Sequence, residues 1–354
     1  MVLLLQPSLS PRCICLFNTT TGTSLRELNF LTSVLAVRLN KKRLVVVLQE
    51  KTYIYDVNAL AILDTIDTVP NMKGKAKISL LLAILFPSPT MSRVALPAST
   101  SKGSVLVYNV MELQSHCEFT LLICYSFKLQ IDAHRSPLAA IVLSSNGMYI
   151  ATASEQGTII RVFLVSEATK IPKSSLTISG QLLFFIPCMV SNFMYFCKSY
   201  SFRRGTYPST IYSLSFGPSV QFQDILVATS SSGSVHVFSL GFALNQRSRR
   251  STSFLGSILP ESVNDVLDPA HHDVLHNAFP AGVKSCAVVR KVDRVNDTSS
   301  AEFLTYRASI SIITHNGFFQ EYTFSIKKNA IDKQYESSWS LEREFNLLTT
   351  IADR

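Results

Sequence analysis

Phe202-Arg203-Arg204-Gly205 places two guanidinium groups side by side, just ahead of the strand-like run 211–216. A guanidinium grips phosphate oxygens with two parallel N–H bonds. Successive side chains on an extended backbone point to opposite faces. The pair therefore suits two separate anions, one on each side of a strand, and not a single site. Read alone, the four residues are a solvated arginine pair. The whole chain shares their sign: net charge is +9 and the isoelectric point about 9.2. That balance calls for an acidic partner, whether nucleic acid, an anionic membrane or an acidic protein.

The elements that must position the pair are short strands and turns. Five segments share one form, a strand, a turn, then a β-branched strand ending on an aromatic: Leu44–Tyr55, Val94–Tyr108, Tyr149–Phe163, Ile225–Phe238 and Ser311–Tyr322. Gly103, Gly157, Gly233 and Gly317 supply four of the turns, where glycine tolerates positive φ; Glu50-Lys51 stands in the first. Cys13–Asn18 is a degenerate sixth copy showing only the outer strand. A repeat of about 40–45 residues with four strands each is the signature of a WD40-like β-propeller. The expected fold is thus all-β, with residues 1–354 in a single propeller domain. Three apolar stretches, about 75–92, 119–130 and 171–198, break the rhythm and read as insertions between blades.

Other classes find little support. Hydrophobic residues make up 47% and charged residues 16%, enough to bury a large core. The seven cysteines are odd in number, with no C-x-x-C, so neither a disulfide framework nor zinc is indicated and a reducing compartment, cytosol first, follows. Met1–Leu5 lacks the basic start and long apolar stretch of a signal peptide. The run 181–197 is shorter than a bilayer helix needs and is interrupted by Pro187, so no transmembrane span is expected. No nucleophile–base pair or phosphate-cradling glycine loop is present, which points away from an enzyme, and no cofactor is implied. Basic and aromatic residues are not clustered on one element as nucleic-acid binding would ask.

With those elements in place, the residues resemble a family. Asp132–Leu164, Phe202–Gly205 and Val235–Phe238 are similar to the PROPPIN or WIPI proteins, seven-bladed propellers of the autophagy machinery that bind phosphatidylinositol 3-phosphate and phosphatidylinositol 3,5-bisphosphate. The resemblance implies a first lipid pocket of Arg203 with His134, Ser154 and Thr158, and a second of Arg204 with Ser230 and His236. Hydroxyl and imidazole donors would tell an inositol headgroup from a bare anion. Against the family pattern the chain is about one and a half blades short at its N-terminus.

The resemblance also gives 241–282 the role of a membrane-contacting loop through Arg247, Arg249, Arg250, Phe254, Leu275 and Phe279. Read without it, the segment is a linker. His271, His272 and His276 there lack the carboxylate or thiol spacing of a metal site. The expected function is a phosphoinositide-binding peripheral adaptor in autophagosome formation, partnered by autophagy proteins. It would move between the cytosol and the membranes of the phagophore assembly site and the vacuole. The alternative is a WD40-type protein scaffold without lipid binding.

Overall fold

The computed structural model describes residues 2–4, 10–18, 21–39, 42–67, 93–109, 128–165, 197–218, 225–240, 271–295, 303–329 and 335–348. These residues form six antiparallel sheets that follow one another in chain order. Sheet one holds β1 (Val2–Leu4), β2 (Cys13–Asn18) and β3 (Thr23–Asn29). Sheet two holds β4 (Ala36–Leu39), β5 (Arg43–Val47), β6 (Lys51–Asp56) and β7 (Ile62–Asp67). Sheet three holds β8 (Arg93–Pro97), β9 (Gly103–Asn109) and β10 (Lys128–His134). Sheet four holds β11 (Leu138–Leu143), β12 (Tyr149–Ser154), β13 (Ile159–Leu164) and β14 (Cys197–Arg203). Sheet five holds β15 (Ile211–Phe216), β16 (Ile225–Ser230), β17 (Val235–Ser239) and β18 (His271–Leu275). Sheet six holds the long strands β19 (Ser285–Val295), β20 (Phe303–Thr314), β21 (Phe318–Asn329) and β22 (Tyr335–Asn346).

Each sequence repeat is one hairpin of this series: β5–β6, β8–β9, β12–β13, β16–β17 and β20–β21. The sixth copy is fuller than its pattern suggests, because Val2–Leu4 pairs along Cys13–Asn18 and adds a strand. Two expected insertions end earlier than proposed. Lys128–Gln130 already pair with β9, and Cys197 and Lys198 with β13. Both stretches run into the last strand of a sheet, β10 in sheet three and β14 in sheet four, whose apolar residues merge with the preceding apolar run. The remainder of the three insertions lies outside the described residues.

Packing explains why so many strands are apolar on both faces. β5, β11, β12, β16 and β17 are buried along their whole length. A sheet covered on both sides loses the in/out alternation of a half-exposed one. Apolar clusters join sheet one to two, two to three, three to four, four to five and five to six. The fully buried Phe238 and Phe324 belong to the last two junctions; a side chain of this kind contributes about 1.5–3 kcal/mol. The inner strands β11, β15 and β19 of successive sheets adjoin. Sheet six differs: along β19, Ala287, Val289 and Val292 are buried while Cys286, Val288 and Arg290 are exposed. Among the described residues no apolar cluster joins sheet six to sheet one.

Candidate functional site

In each four-stranded sheet the second and fourth strands run in the same direction, and in three-stranded sheet three β8 and β10 do the same, so their C-terminal ends share one rim with the turn of each repeated hairpin. His134 ends β10, Ser154 ends β12, Arg203 ends β14 and Ser230 ends β16, while His236 lies one residue inside β17. All the expected lipid-binding residues therefore gather on one rim, at the junctions of sheets three, four and five.

Three of the four turn glycines have positive φ: Gly157 (+60°), Gly233 (+79°) and Gly317 (+86°). Gly103 does not, and its need for glycine is a close approach instead. A Cβ there would stand 2.5 Å from the Cβ of His134, well inside van der Waals contact.

Alternation along β14 sorts the arginine motif. Phe202 is buried toward sheet five, its ring 4.5 Å from that of Phe238. Arg203 takes the opposite face, is exposed, and makes no side-chain hydrogen bond or ion pair among the described residues. Arg204 returns toward sheet five and is half-buried. Its backbone N–H bonds Thr158 O at 2.8 Å, its Nε–H bonds Gly157 O and its Nη2–H bonds Tyr207 O, both at 2.5 Å. Burial draws its pKa below the ordinary arginine value. Two of its side-chain nitrogens thus hold the local backbone, and the third makes no hydrogen bond among the described residues. The two arginines do face different junctions, but they are not equivalent.

The second junction is assembled. His236 is buried, and its pKa is pushed down to about 3 by burial first, then by the nearby charges of His272, Arg204 and His276. Its Nδ1 lies 3.1 Å from Nε2 of His272, while its own Nε2 is buried without a hydrogen-bond partner among the described residues. Ser230 is fully buried, with its hydroxyl 2.8 Å from that of Ser232. Arg204, His236 and Ser230 thus flank the junction of sheets four and five.

At the first junction the chemistry differs from expectation. Thr158 is half-buried beside the arginine motif and Ser154 is buried at the end of β12. His134 is buried too, but both its ring nitrogens are engaged: Nε2 with Thr152 Oγ1 at 3.0 Å, and Nδ1 with Arg161 Nη1 at 3.4 Å. Arginine can only donate, so Nδ1 accepts and Nε2–H donates to the threonine. Burial, then the Arg161 charge, pushes the His134 pKa down to about 4. This ring ties sheet three to sheet four and leaves no free N–H for a ligand. Sequence reasoning missed its partners Thr152 and Arg161, and weighed His272 only as a metal ligand, not as the partner of His236; the small strand threonine and the lone strand arginine carried no motif.

The expected loop is shorter than 241–282. His271–Leu275 form β18 along β17, and Phe279 is 7% exposed in the core between sheets five and six. Leu275 is half-buried against the same core. An aromatic ring already buried there has nothing to offer a membrane. Arg247, Arg249, Arg250 and Phe254 lie outside the described residues.

One junction further along the same rim, a cleft of about 460 Å³ is lined by Ser232, Phe279, Asn316, Phe318, Gln320 and Glu344 among others. Its lining has a carboxylate and no lysine or arginine, the opposite sign to the arginine junctions. Among the described residues no group of three potential metal ligands occurs, and no helix is long and apolar enough to cross a membrane.

Comparison with known proteins places this geometry. The chain is 61% identical over 345 residues to autophagy-related protein 18b of Arabidopsis thaliana, covering 97% of this chain and 80% of that protein. It is 28% identical to autophagy-related protein 18 of Dictyostelium discoideum, over 96% of this chain and 77% of the relative. Among solved structures, Kluyveromyces lactis Hsv2 superposes with a TM-score of 0.58 at 14% identity, over 95% of this chain and 81% of that one. A complex of KlAtg21 with the coiled coil of AgAtg16 gives 0.55 at 18%, over 95% of this chain and 78% of that one. These last likenesses show the fold, a β-propeller. The PROPPIN family model matches residues 2–194, and with the arginine-bearing sheet and its autophagy-related relatives in view, the chain belongs to the PROPPIN family.

Proposed function

We propose that the protein is a peripheral membrane adaptor of autophagy that binds phosphatidylinositol 3-phosphate and phosphatidylinositol 3,5-bisphosphate through two half-sites. One observation carries this reading: Arg203 and Arg204 leave one strand end toward two different sheet junctions, and the second junction already holds a buried imidazole and hydroxyl. Arg203 with Thr158 and Ser154 forms the first half-site, and His134 braces it from behind. Arg204 with His236 and Ser230 forms the second. Two weak headgroup sites on one rigid rim gain strength from each other, since the second binding event is intramolecular. Basic residues 247, 249 and 250 add electrostatic attraction to an anionic leaflet. The adaptor acts from the cytosol on phagophore and vacuolar membranes and recruits autophagy proteins, as a coiled coil is recruited in the KlAtg21 complex.

Liposome flotation tests it. Wild-type protein is expected to float with vesicles containing either phosphoinositide and not with phosphatidylcholine alone. The double variant Arg203→Thr, Arg204→Thr is expected to lose at least about tenfold in binding. Unchanged flotation would leave only a protein scaffold. The single variants separate the two roles in unfolding experiments. Arg203→Thr leaves the unfolding midpoint in place, whereas Arg204→Thr leaves the part-buried Gly157 carbonyl without its donor, the exposed Tyr207 carbonyl turning to water, and costs about 1–3 kcal/mol.

A further inference from the structure

We infer that Tyr207 is a membrane anchor, an aromatic side chain that enters the headgroup boundary when the arginine half-sites hold their phosphates; the inference rests on the lipid-binding reading above. Tyr207 is 83% exposed, against 5% for Phe202 in the same motif. Tyrosine is amphipathic, with an apolar ring and a polar tip, and such side chains settle at membrane–water boundaries. Its hydroxyl makes no hydrogen bond among the described residues.

Exposure alone would not suffice, because single apolar residues on a surface are ordinary. What distinguishes Tyr207 is the backbone beneath it. Arg204 Nη2 binds the Tyr207 carbonyl directly, at 2.5 Å. Two residues on, Ser209 N–H donates to Gln156 O at 3.0 Å and Thr210 N–H to Ser231 Oγ at 3.0 Å. Pro208 further restricts Tyr207 to extended geometry. The loop is therefore held by both flanking sheets, and an exposed ring on a fixed backbone has little freedom left to lose on binding. The residue that holds the loop is also the one that holds the phosphate in the second half-site, so headgroup and ring meet the same patch of membrane. Leu31, at 90% exposure, also has a guanidinium on its carbonyl, Arg12 Nη1 at 3.5 Å, but it follows β3 of sheet one, away from the arginine junctions, and Leu348, at 63%, has no tie to a cationic group among the described residues.

The test joins flotation to fluorescence on the full chain. Tyr207→Ala is expected to bind phosphoinositide vesicles about tenfold more weakly with an unchanged unfolding midpoint. Tyr207→Trp is expected to bind as wild type. Its emission should shift to the blue and be quenched by lipid spin-labelled near the headgroup, on phosphoinositide vesicles only. The chain has a single native tryptophan, so wild-type protein supplies the background signal. Vesicles that float the Tyr207→Trp protein without shift or quenching overturn the anchor and leave the half-sites standing, as does full-strength flotation of Tyr207→Ala. Wild-type protein that fails to float overturns the lipid-binding reading and the anchor together.

Discussion

Gly157→Val is expected to destabilise the protein by about 3–5 kcal/mol and to abolish the lipid binding proposed above, whereas Gly205→Ala, inside the arginine motif, should change stability by less than about 0.5 kcal/mol. Gly157 sits at φ +60°, where a side chain crowds its own backbone. A Cβ there would also lie 1.8 Å from the carbonyl oxygen of Ser209 and 3.3 Å from Ile211. Ser209 is fixed by its bond to Gln156, and Ile211 opens β15 in the core between sheets four and five. Neither can retreat without separating the two sheets. The same turn supplies the Gly157 carbonyl that receives Arg204 Nε–H, so the arginine loses its anchor as the sheets part. Gly205 carries no positive φ, and a Cβ there meets nothing within 4 Å. Urea unfolding of both variants beside flotation checks the pair. Equal midpoints would show that the turn does not carry the junction.

The contrast between these glycines marks what could be read from the sequence and what could not. The repeated hairpins were legible because β-branched residues, a turn and a terminal aromatic recur together; four became the middle pair of a four-stranded sheet and β8–β9 became two of the three strands of sheet three. The arginine pair was legible because strand alternation alone assigns its members to opposite faces. The roles of its neighbours were not. His134 and His236 each sit beside an alternating apolar run, yet one has both nitrogens engaged and the other keeps Nε2 unpartnered. That difference is set by Arg161 and His272, partners 27 and 36 residues away. Phe279 was misplaced for the same reason. Its segment looks like a loop, but the buried face of sheet six lies against it. Local pattern fixes which strand a residue is on, while its use depends on the facing sheet.

Acid should unfold this protein well before its carboxylates titrate. An ordinary histidine takes up a proton near pH 6.5. Burial holds His134 and His272 down to about 4 and His236 to about 3, and it lowers His271 as well. The charges facing them act unequally: Arg161 bears on His134, His272, Arg204 and His276 bear on His236, and His271 bears on His272, all disfavouring protonation, while Asp273 partly offsets burial at His271 and His272. The folded chain therefore keeps these rings neutral where the unfolded chain protonates them. Stability from this source is complete above about pH 6.5 and is lost as the pH falls from there toward 4. For His134, buried at 8% exposure, the loss by pH 5 amounts to about 2 kcal/mol. Asp56 and Asp132, whose pKa values are lowered by hydrogen bonds to Ala59 N–H and Ser104 respectively, add their own losses only below about pH 4. The two sources are thus separated in pH. Urea midpoints at pH 7.5, 6 and 5 should fall steadily for the wild type. In His134→Gln, which cannot protonate, the fall between pH 7.5 and 5 should shrink by about 2 kcal/mol even if the starting stability is lower. An undiminished fall in that variant would mean that His134 is protonated in the folded state, and that the bond from Arg161 to its Nδ1 does not hold in solution.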